Sequence, residues 1–198
     1  MGDCQIMRRA VFLDRDGVIN EMILNPDTQE YEPPHQTEDI RLYPYTSACL
    51  RKLQSEEYEL FLVSNQPDYA KGKVTLDNLK KIHEQFVSIF IAQKISFRDF
   101  YYCYHHPKGV VREYSYDCEC RKPKPYFLLK AAEDYSLDLK SSWMIGDRDS
   151  DILCGQAAGV RTILVDEPNS AAKRGKSKPH FTVNDLSEAV NIILLYSH

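Results

Sequence analysis

Five short apolar runs punctuate this chain, at Ala10–Leu13, Leu60–Ser64, Phe97–Tyr104, Trp143–Ile145 and Thr162–Val165. They are strand-length, rich in Val, Ile, Leu and aromatic residues, and mostly lack the polar alternation of a half-exposed strand. That is how strands buried on both faces of a parallel sheet look in sequence. Between them, apolar positions recur at helical spacing near Tyr45–Glu56, Thr75–Ala92, Lys124–Tyr135 and Asp149–Ala158. A last helix is predicted from about Asp185 to Tyr196, with Asn184 or Asp185 as its cap. The alternation predicts an α/β fold, a doubly wound, Rossmann-like parallel sheet flanked by helices. With no internal repeat and no low-complexity tract, residues 1–198 read as one domain.

Two stretches interrupt the rhythm. Asn25 to about Leu42 is polar and holds Pro26, Pro33 and Pro34, which predicts an irregular loop suited to be a lid or a substrate wall. The second, His105 to Cys120, carries a cluster of cysteines. Neither is long enough to form a separate cap domain, so the fold is expected to be essentially capless.

Composition changes the picture mainly by exclusion. The chain is 43% hydrophobic and 27% charged, with a formal charge of −4 and a pI near 5.9. This offers no general attraction to nucleic acid or anionic membrane, and neither is expected as a partner. The basic run Lys173-Arg174-Gly175-Lys176-Ser177-Lys178 reads as a solvated loop. No apolar run is long enough to span a bilayer. Met1–Ile6 lacks the apolar core of a secretory signal, and Ile6 stands where a myristoylation pattern needs Ser or Thr. A cytoplasmic monomer is the expectation.

The candidate chemistry lies where the apolar runs stop. Val11-Phe12-Leu13 runs straight into Asp14-Arg15-Asp16-Gly17, so a buried strand delivers two carboxylates to the sheet edge where open α/β folds keep their active sites. Side chains at i and i+2 point the same way while the chain is extended, so both acids can face one phosphorus or one metal. Gly17 lets the backbone turn away at no steric cost. One Asp there can act as nucleophile and the other as proton donor and acceptor; an ordinary solvated turn would use the same residues. Ser64-Asn65-Gln66 ends the second strand with groups that can donate to phosphoryl oxygens. Arg121-Lys122-Pro123 precedes a helix, where a lysine can bring positive charge to a phosphate or an attacking carboxylate. Gly146-Asp147-Arg148-Asp149-Ser150-Asp151 again turns from an apolar strand to acids. Asp147 and Asp151 could share a cation with the first pair, and Asp149 and Ser150 suit a helix cap.

In this order the four strand ends resemble the motifs of the haloacid dehalogenase-like phosphatase superfamily: D-x-D-G at Asp14–Gly17, Ser64, Lys122, and G-D-x-x-x-D at Gly146–Asp151. The resemblance spans about residues 11–166. It implies Mg²⁺ held by the Asp14 carboxylate, the Asp16 carbonyl and the Asp147 carboxylate. It also implies Asp14 as nucleophile in an aspartyl-phosphate mechanism, Asp16 as general acid and base, and Ser64, Asn65 and Lys122 as stabilisers of the phosphoryl charge. Asp151 would orient Lys122 or a metal-bound water.

Of the six cysteines, Cys4, Cys49 and Cys154 are scattered, while Cys103, Cys118 and Cys120 fall in one segment. With His105 the pattern is C-x-H, twelve residues, C-x-C. Three thiolates and an imidazole suit a closed tetrahedral zinc, and reduced cysteines near a strand end would give the same spacing. The segment, running into Cys120-Arg121-Lys122-Pro123, is similar to that of the D-glycero-D-manno-heptose 1,7-bisphosphate 7-phosphatase family and its histidinol-phosphate phosphatase relatives. That resemblance implies a structural Zn²⁺ on Cys103, His105, Cys118 and Cys120. His106 is left as a supporting or surface residue. It further implies that Arg121 and Arg148 contact the distal part of a small phosphorylated sugar, with Met22, Ile23, Leu24 and Asn25 as part of its wall. The implied activity is removal of the 7-phosphate of the heptose bisphosphate, in bacterial nucleotide-activated heptose biosynthesis. Alternatives are a phosphatase of histidinol phosphate or another small phosphomonoester, and a catalytically silent zinc-stabilised binding module. The chain departs from the family pattern at Pro67-Asp68, Lys71-Gly72, Arg148 and the Gln29–Ile40 insertion, all on the leaving-group side.

Overall fold

The computed structural model describes residues 8–196, so the readings on Cys4 and Met1–Ile6 lie outside the described residues. The main sheet has six parallel strands: β1 (Arg9–Leu13), β4 (Tyr58–Asn65), β5 (Phe97–Cys103), β6 (Trp143–Gly146), β7 (Arg161–Val165) and β8 (Phe181–Val183). Their spatial order is β5-β4-β1-β6-β7-β8. Counted within this sheet, that is the 3-2-1-4-5-6 order of a doubly wound fold, with the chain reversing direction beside β1. The helices are α1 (Thr46–Ser55), α2 (Leu76–Ala92), α3 (Tyr126–Tyr135), α4 (Asp149–Ala158) and α5 (Leu186–Leu195).

The apolar runs are continuous because alternate residues feed two cores. Val11, Leu13, Leu60, Leu62, Trp143 and Ile145 pack with Leu50 and Leu53 of α1, Ile82, Phe86 and Phe90 of α2, and Leu186 and Ile193 of α5. Ala10, Phe12, Phe61, Val63 and Met144 face the other way, against Leu128 and Ala131 of α3 and Cys154 and Ala158 of α4. Each large side chain so buried contributes about 1.5–3 kcal/mol. No helix among the described residues is long and apolar enough to cross a membrane.

A short ribbon and a short sixth strand were not expected, whereas the cap of the last helix is one of the two expected. The stretch from Asn25 is not irregular throughout: β3 (Tyr31–Glu32) pairs antiparallel with β2 (Ile23–Leu24) just before it, and a short 3₁₀ turn follows at Thr37–Asp39. The Asn25 side chain accepts from the Asp27 amide at 2.9 Å and donates to Glu32 at 2.8 Å, closing the ribbon locally. Two-residue strands carry no readable period, and the same brevity hides β8 in the sequence. At the last helix the cap is Asp185, whose carboxylate accepts from the Ser187 and Glu188 amides at 2.8 and 3.0 Å.

Candidate active site

The carboxyl ends of β1, β4 and β6 meet where the strand order reverses, and there they form a cleft of about 330 Å³. Asp14 follows β1, Ser64 and Asn65 end β4, and Asp147 follows β6; Lys122 comes in from the loop before α3. A larger hollow, about 490 Å³, opens beside Arg8, Arg9 and Tyr58 at the opposite strand ends, but among the described residues it contains no cluster of metal-ligating groups.

Lys122 is the hub of the cleft. Its ammonium lies 3.0 Å from Asp14 Oδ1 and 2.7 Å from Asp151 Oδ1, and donates to the Val63 carbonyl at 2.6 Å. Burial disfavours its charge, but the two carboxylates outweigh that and hold it protonated well above the usual lysine range. Burial likewise pushes the Asp14 carboxyl up, yet Lys122 first, then Arg148 and the Arg15 amide, bring it below the usual carboxylate range. Asp151 is held above it, because burial outweighs Lys122. Its other oxygen accepts from the Arg148 amide at 3.0 Å. Asp151 Oδ1 is thus ion-paired with Lys122 while its Oδ2 is held by the main chain of Arg148.

Asp147 is the odd acid. It is fully buried, accepts from the Ser170 hydroxyl, and lies 3.5 Å from the Arg148 guanidinium, while its Oδ1 has no partner. Burial, with Asp14 and Asp151 nearby, raises it to about 7 against the pull of Arg148 and Ser170. Ligand oxygens of Asp14, Asp147 and Asp151 all lie within 4.8 Å of one another. Three crowded carboxylates, one with an orphaned buried oxygen, fit a divalent cation with hard oxygen preference. Gly17 is required for this approach: its φ is +84°, and a Cβ would come within 2.6 Å of Asp147 Oδ2.

Asp16 lines the same cleft but is held from behind. Arg15, only 1% exposed, lies 3.1 Å from both of its oxygens, Gln66 donates at 2.6 Å and Asn20 at 3.0 Å. Gln66 also donates to Ser64 Oγ at 3.0 Å and accepts from Arg15 at 2.9 Å. Arg15 was not legible as a site residue, and Gln66 was read only as a donor at a strand end, not as a partner of Asp16. A polar residue between two motif acids, or after a strand end, gives no periodic sign that it turns inward.

The remaining predicted residues divide. Arg121 and Arg148 line the cleft, Arg121 donating to the His105 carbonyl at 3.1 Å. Asn65 lines it too, but its amide is engaged on the Lys122 main chain. Met22 reaches Arg148 through its sulfur at 3.6 Å, whereas Ile23, Leu24 and Asn25 line a separate depression on the ribbon. Asp149 does not cap α4; its carboxylate accepts from the Lys176 and Ser177 amides and the Ser177 hydroxyl. Lys71, one of the departures read on the leaving-group side, lines it as well, and His106 and Lys173 join the lining unannounced. Lys173 belongs to the run read as a solvated loop.

Cys103, at the end of β5, converges with His105, Cys118 and Cys120, their ligand atoms within 4.8 Å of one another. The Cys103–Cys118 and Cys118–Cys120 sulfurs are 3.4 and 3.3 Å apart, and His105 Nδ1 is 3.5 Å from Cys120 and 3.8 Å from Cys103. A tetrahedron with zinc–sulfur bonds of about 2.3 Å has edges of roughly 3.7 Å, so the cluster is compatible with Zn²⁺. Burial pushes the Cys103 thiol up to about 11 and lowers His105 below the usual imidazole range. Tyr116 lies 2.9 Å from the other ring nitrogen.

The sequence model of the HAD-hydrolase-like family matches residues 119–189. A D-glycero-alpha-D-manno-heptose-1,7-bisphosphate 7-phosphatase of Photorhabdus laumondii is 36% identical over 161 residues, 79% of this chain and 82% of its own. The D-glycero-beta-D-manno-heptose-1,7-bisphosphate 7-phosphatase of Pasteurella multocida is 30% identical across 94% of this chain and 97% of its own. Among solved structures, the D,D-heptose 1,7-bisphosphate phosphatase of B. bronchiseptica, complexed with magnesium and phosphate, matches with a TM-score of 0.77. Its identity is 22%, covering 95% of this chain and 99% of that one.

Proposed function

This chain belongs to the haloacid dehalogenase-like hydrolases and is a phosphatase; from that premise we propose that it removes the 7-phosphate of D-glycero-D-manno-heptose 1,7-bisphosphate. The observation that carries the reading is the buried Asp14–Lys122–Asp151 chain beside the orphaned oxygen of Asp147, at the sheet's reversal point. The heptose bisphosphate is the substrate in the names of both relatives, which differ in anomer.

Mg²⁺ would be held by the carboxylates of Asp14 and Asp147 and the Asp16 carbonyl. When bound it supplies positive charge to the phosphoryl group and to the crowded acids. Asp14, ionised by Lys122, attacks phosphorus in line. As its oxygen bonds to phosphorus, the bond from phosphorus to the sugar oxygen breaks, and Asp16 gives that oxygen a proton. Asp16 then takes a proton from the water that attacks the aspartyl-phosphate, freeing Asp14 and inorganic phosphate. Lys122 and Ser64 stabilise the charge spread over the equatorial oxygens. A closed zinc on Cys103, His105, Cys118 and Cys120 would brace the loop that ends in Arg121 and Lys122. The product keeps its 1-phosphate, which suits a following nucleotide activation of the sugar.

The test is phosphate release from both anomers of the heptose 1,7-bisphosphate, from histidinol phosphate and from a 3′-phosphorylated oligonucleotide. Faster turnover of one heptose bisphosphate anomer than of every other compound is expected. A preference for histidinol phosphate or the oligonucleotide overturns the substrate assignment.

A further inference from the structure

Lys173 lies in a basic run whose composition predicts solvated loop, yet the segment is tied down on both sides. Three residues earlier, Ser170 donates to Asp147. Just after it, Arg174 donates to the Val165 carbonyl at 3.1 Å and pairs with Asp166 at 2.7 Å. Further on, the Lys176 and Ser177 amides are held by Asp149 at 2.9 and 3.0 Å. Lys173 itself is exposed at the rim and, among the described residues, has no ion pair or hydrogen bond.

It shares the lining of the cleft, and of an adjoining recess of about 100 Å³, with Lys71 and Arg148. These three cations come from separate elements, the loops after β7, β4 and β6. Of the acids on the recess, Asp16 is held by Arg15, and Asp68 and Glu32 have partners of their own, leaving Glu30 at its edge. Asp68 lies 2.9 Å from His35 and 3.6 Å from Lys71, and Glu32 is paired with Lys73 and bonded by Asn25. Lys173 therefore faces Arg148 and Lys71 with Asp147 and Asp68 offsetting them only in part, and partial desolvation at the rim together with those two cations lowers its affinity for a proton. A cation held without a direct partner beside two others, on the rim of the cleft, is an anion site made before the anion arrives.

We propose that Lys173, with Lys71 and Arg148, binds the second anionic group of the substrate, the phosphate that is not hydrolysed. This rests on the bisphosphate reading and names the residues that select for it. A charged hydrogen bond of this kind corresponds to about tenfold to hundredfold in affinity.

The experiment compares kcat/KM for the heptose 1,7-bisphosphate and for heptose 7-phosphate in wild type, Lys173→Ala, Lys173→Arg and Lys178→Ala. The preference for the bisphosphate should fall about tenfold to hundredfold in Lys173→Ala, through KM, and largely return in Lys173→Arg. Lys178→Ala, in the same basic run but outside the cleft, should match wild type. A preference unchanged in Lys173→Ala, or a parallel loss on both substrates, overturns the site. A second readout stands apart from the heptose assignment: competitive inhibition of p-nitrophenyl phosphate turnover by fructose 1,6-bisphosphate and by fructose 6-phosphate. If wild type ignores heptose compounds, the substrate reading has failed. A ratio of inhibition constants that still collapses in Lys173→Ala then upholds the anion site, and one that does not refutes it.

Discussion

Asn65 grips the main chain of Lys122 from both sides, its Oδ1 accepting from the Lys122 amide at 3.1 Å and its Nδ2 donating to the Lys122 carbonyl at 3.0 Å. The end of β4 thereby sets where the loop between the cysteines and α3 crosses the cleft. Loss of that clamp should act through Lys122. Asn65→Ala is expected to lower kcat/KM by about tenfold or more, and to cost little further in a Lys122→Met background. Additive losses in that double-mutant cycle would mean that Asn65 acts on the phosphate independently.

Asp14→Asn should abolish turnover while far-UV circular dichroism stays that of wild type, because the amide fills the same space but is a poor nucleophile. A loss of about 10⁴-fold or more is expected, as for other removed nucleophiles. Asp16→Asn should be severely impaired on the sugar substrate and less so in the first turnover of p-nitrophenyl phosphate, whose leaving group needs no proton. Equal impairment on both would remove Asp16 from the acid role.

Lys122→Met leaves Asp14 and Asp151 buried without their shared cation. Breaking such a pair costs about 3–5 kcal/mol in typical cases. Adding Asp151→Asn removes one of the stranded charges and should recover part of the urea midpoint while leaving activity lost. No recovery would show that Asp151 does not depend on Lys122.

Chelation of the cysteine cluster tests the loop. Elemental analysis after dialysis should find one zinc per chain. Stripping it should lower the melting temperature and turnover together, both returning with Zn²⁺ but not with Mg²⁺. A chain without zinc that is folded and fully active would remove the metal from the scheme.

Acid sensitivity has an identifiable source in Asp68. Burial raises it, but the His35 hydrogen bond, then Lys71, hold its carboxyl below the ordinary value of 3.8. Between the folded and unfolded values the unfolded chain binds more protons, so stability rises with pH there. The contribution is complete above the unfolded value and is lost as pH falls through the folded one. Urea unfolding from pH 3 to 7 should show a smaller loss of stability at the acid end for Asp68→Asn than for wild type. Identical pH curves would show that the pair adds nothing.

Much of this protein was legible in one dimension because β1, β4 and β6 are buried on both faces. Val11 and Phe12 must both be apolar when one faces α1, α2 and α5 and the other α3 and α4, and that prints an unbroken run. The residue after such a run sits at the strand's carboxyl end by register alone. Asp14, Ser64 and Asp147 could thus be placed without knowing any contact between them. Cys103 and His105 were legible for the same reason, at the end of β5.

Tertiary structure alone decided what surrounds these residues. Gln66 on Asp16 and Ser170 on Asp147 join positions 50 and 23 residues apart in sequence, and no period links them. A polar loop residue has the same composition whether water or a carboxylate satisfies it. Lys173 and Lys178 share one basic run, yet only Lys173 lines the cleft, because Ser170, Arg174 and the Asp149 carboxylate fold that part of the loop onto the sheet edge. The sequence by itself determined the acids and the strands that carry them. Which neighbours ionise, orient or select was decided only when separate strand ends were brought into one low-dielectric cleft, where each charge must find a partner.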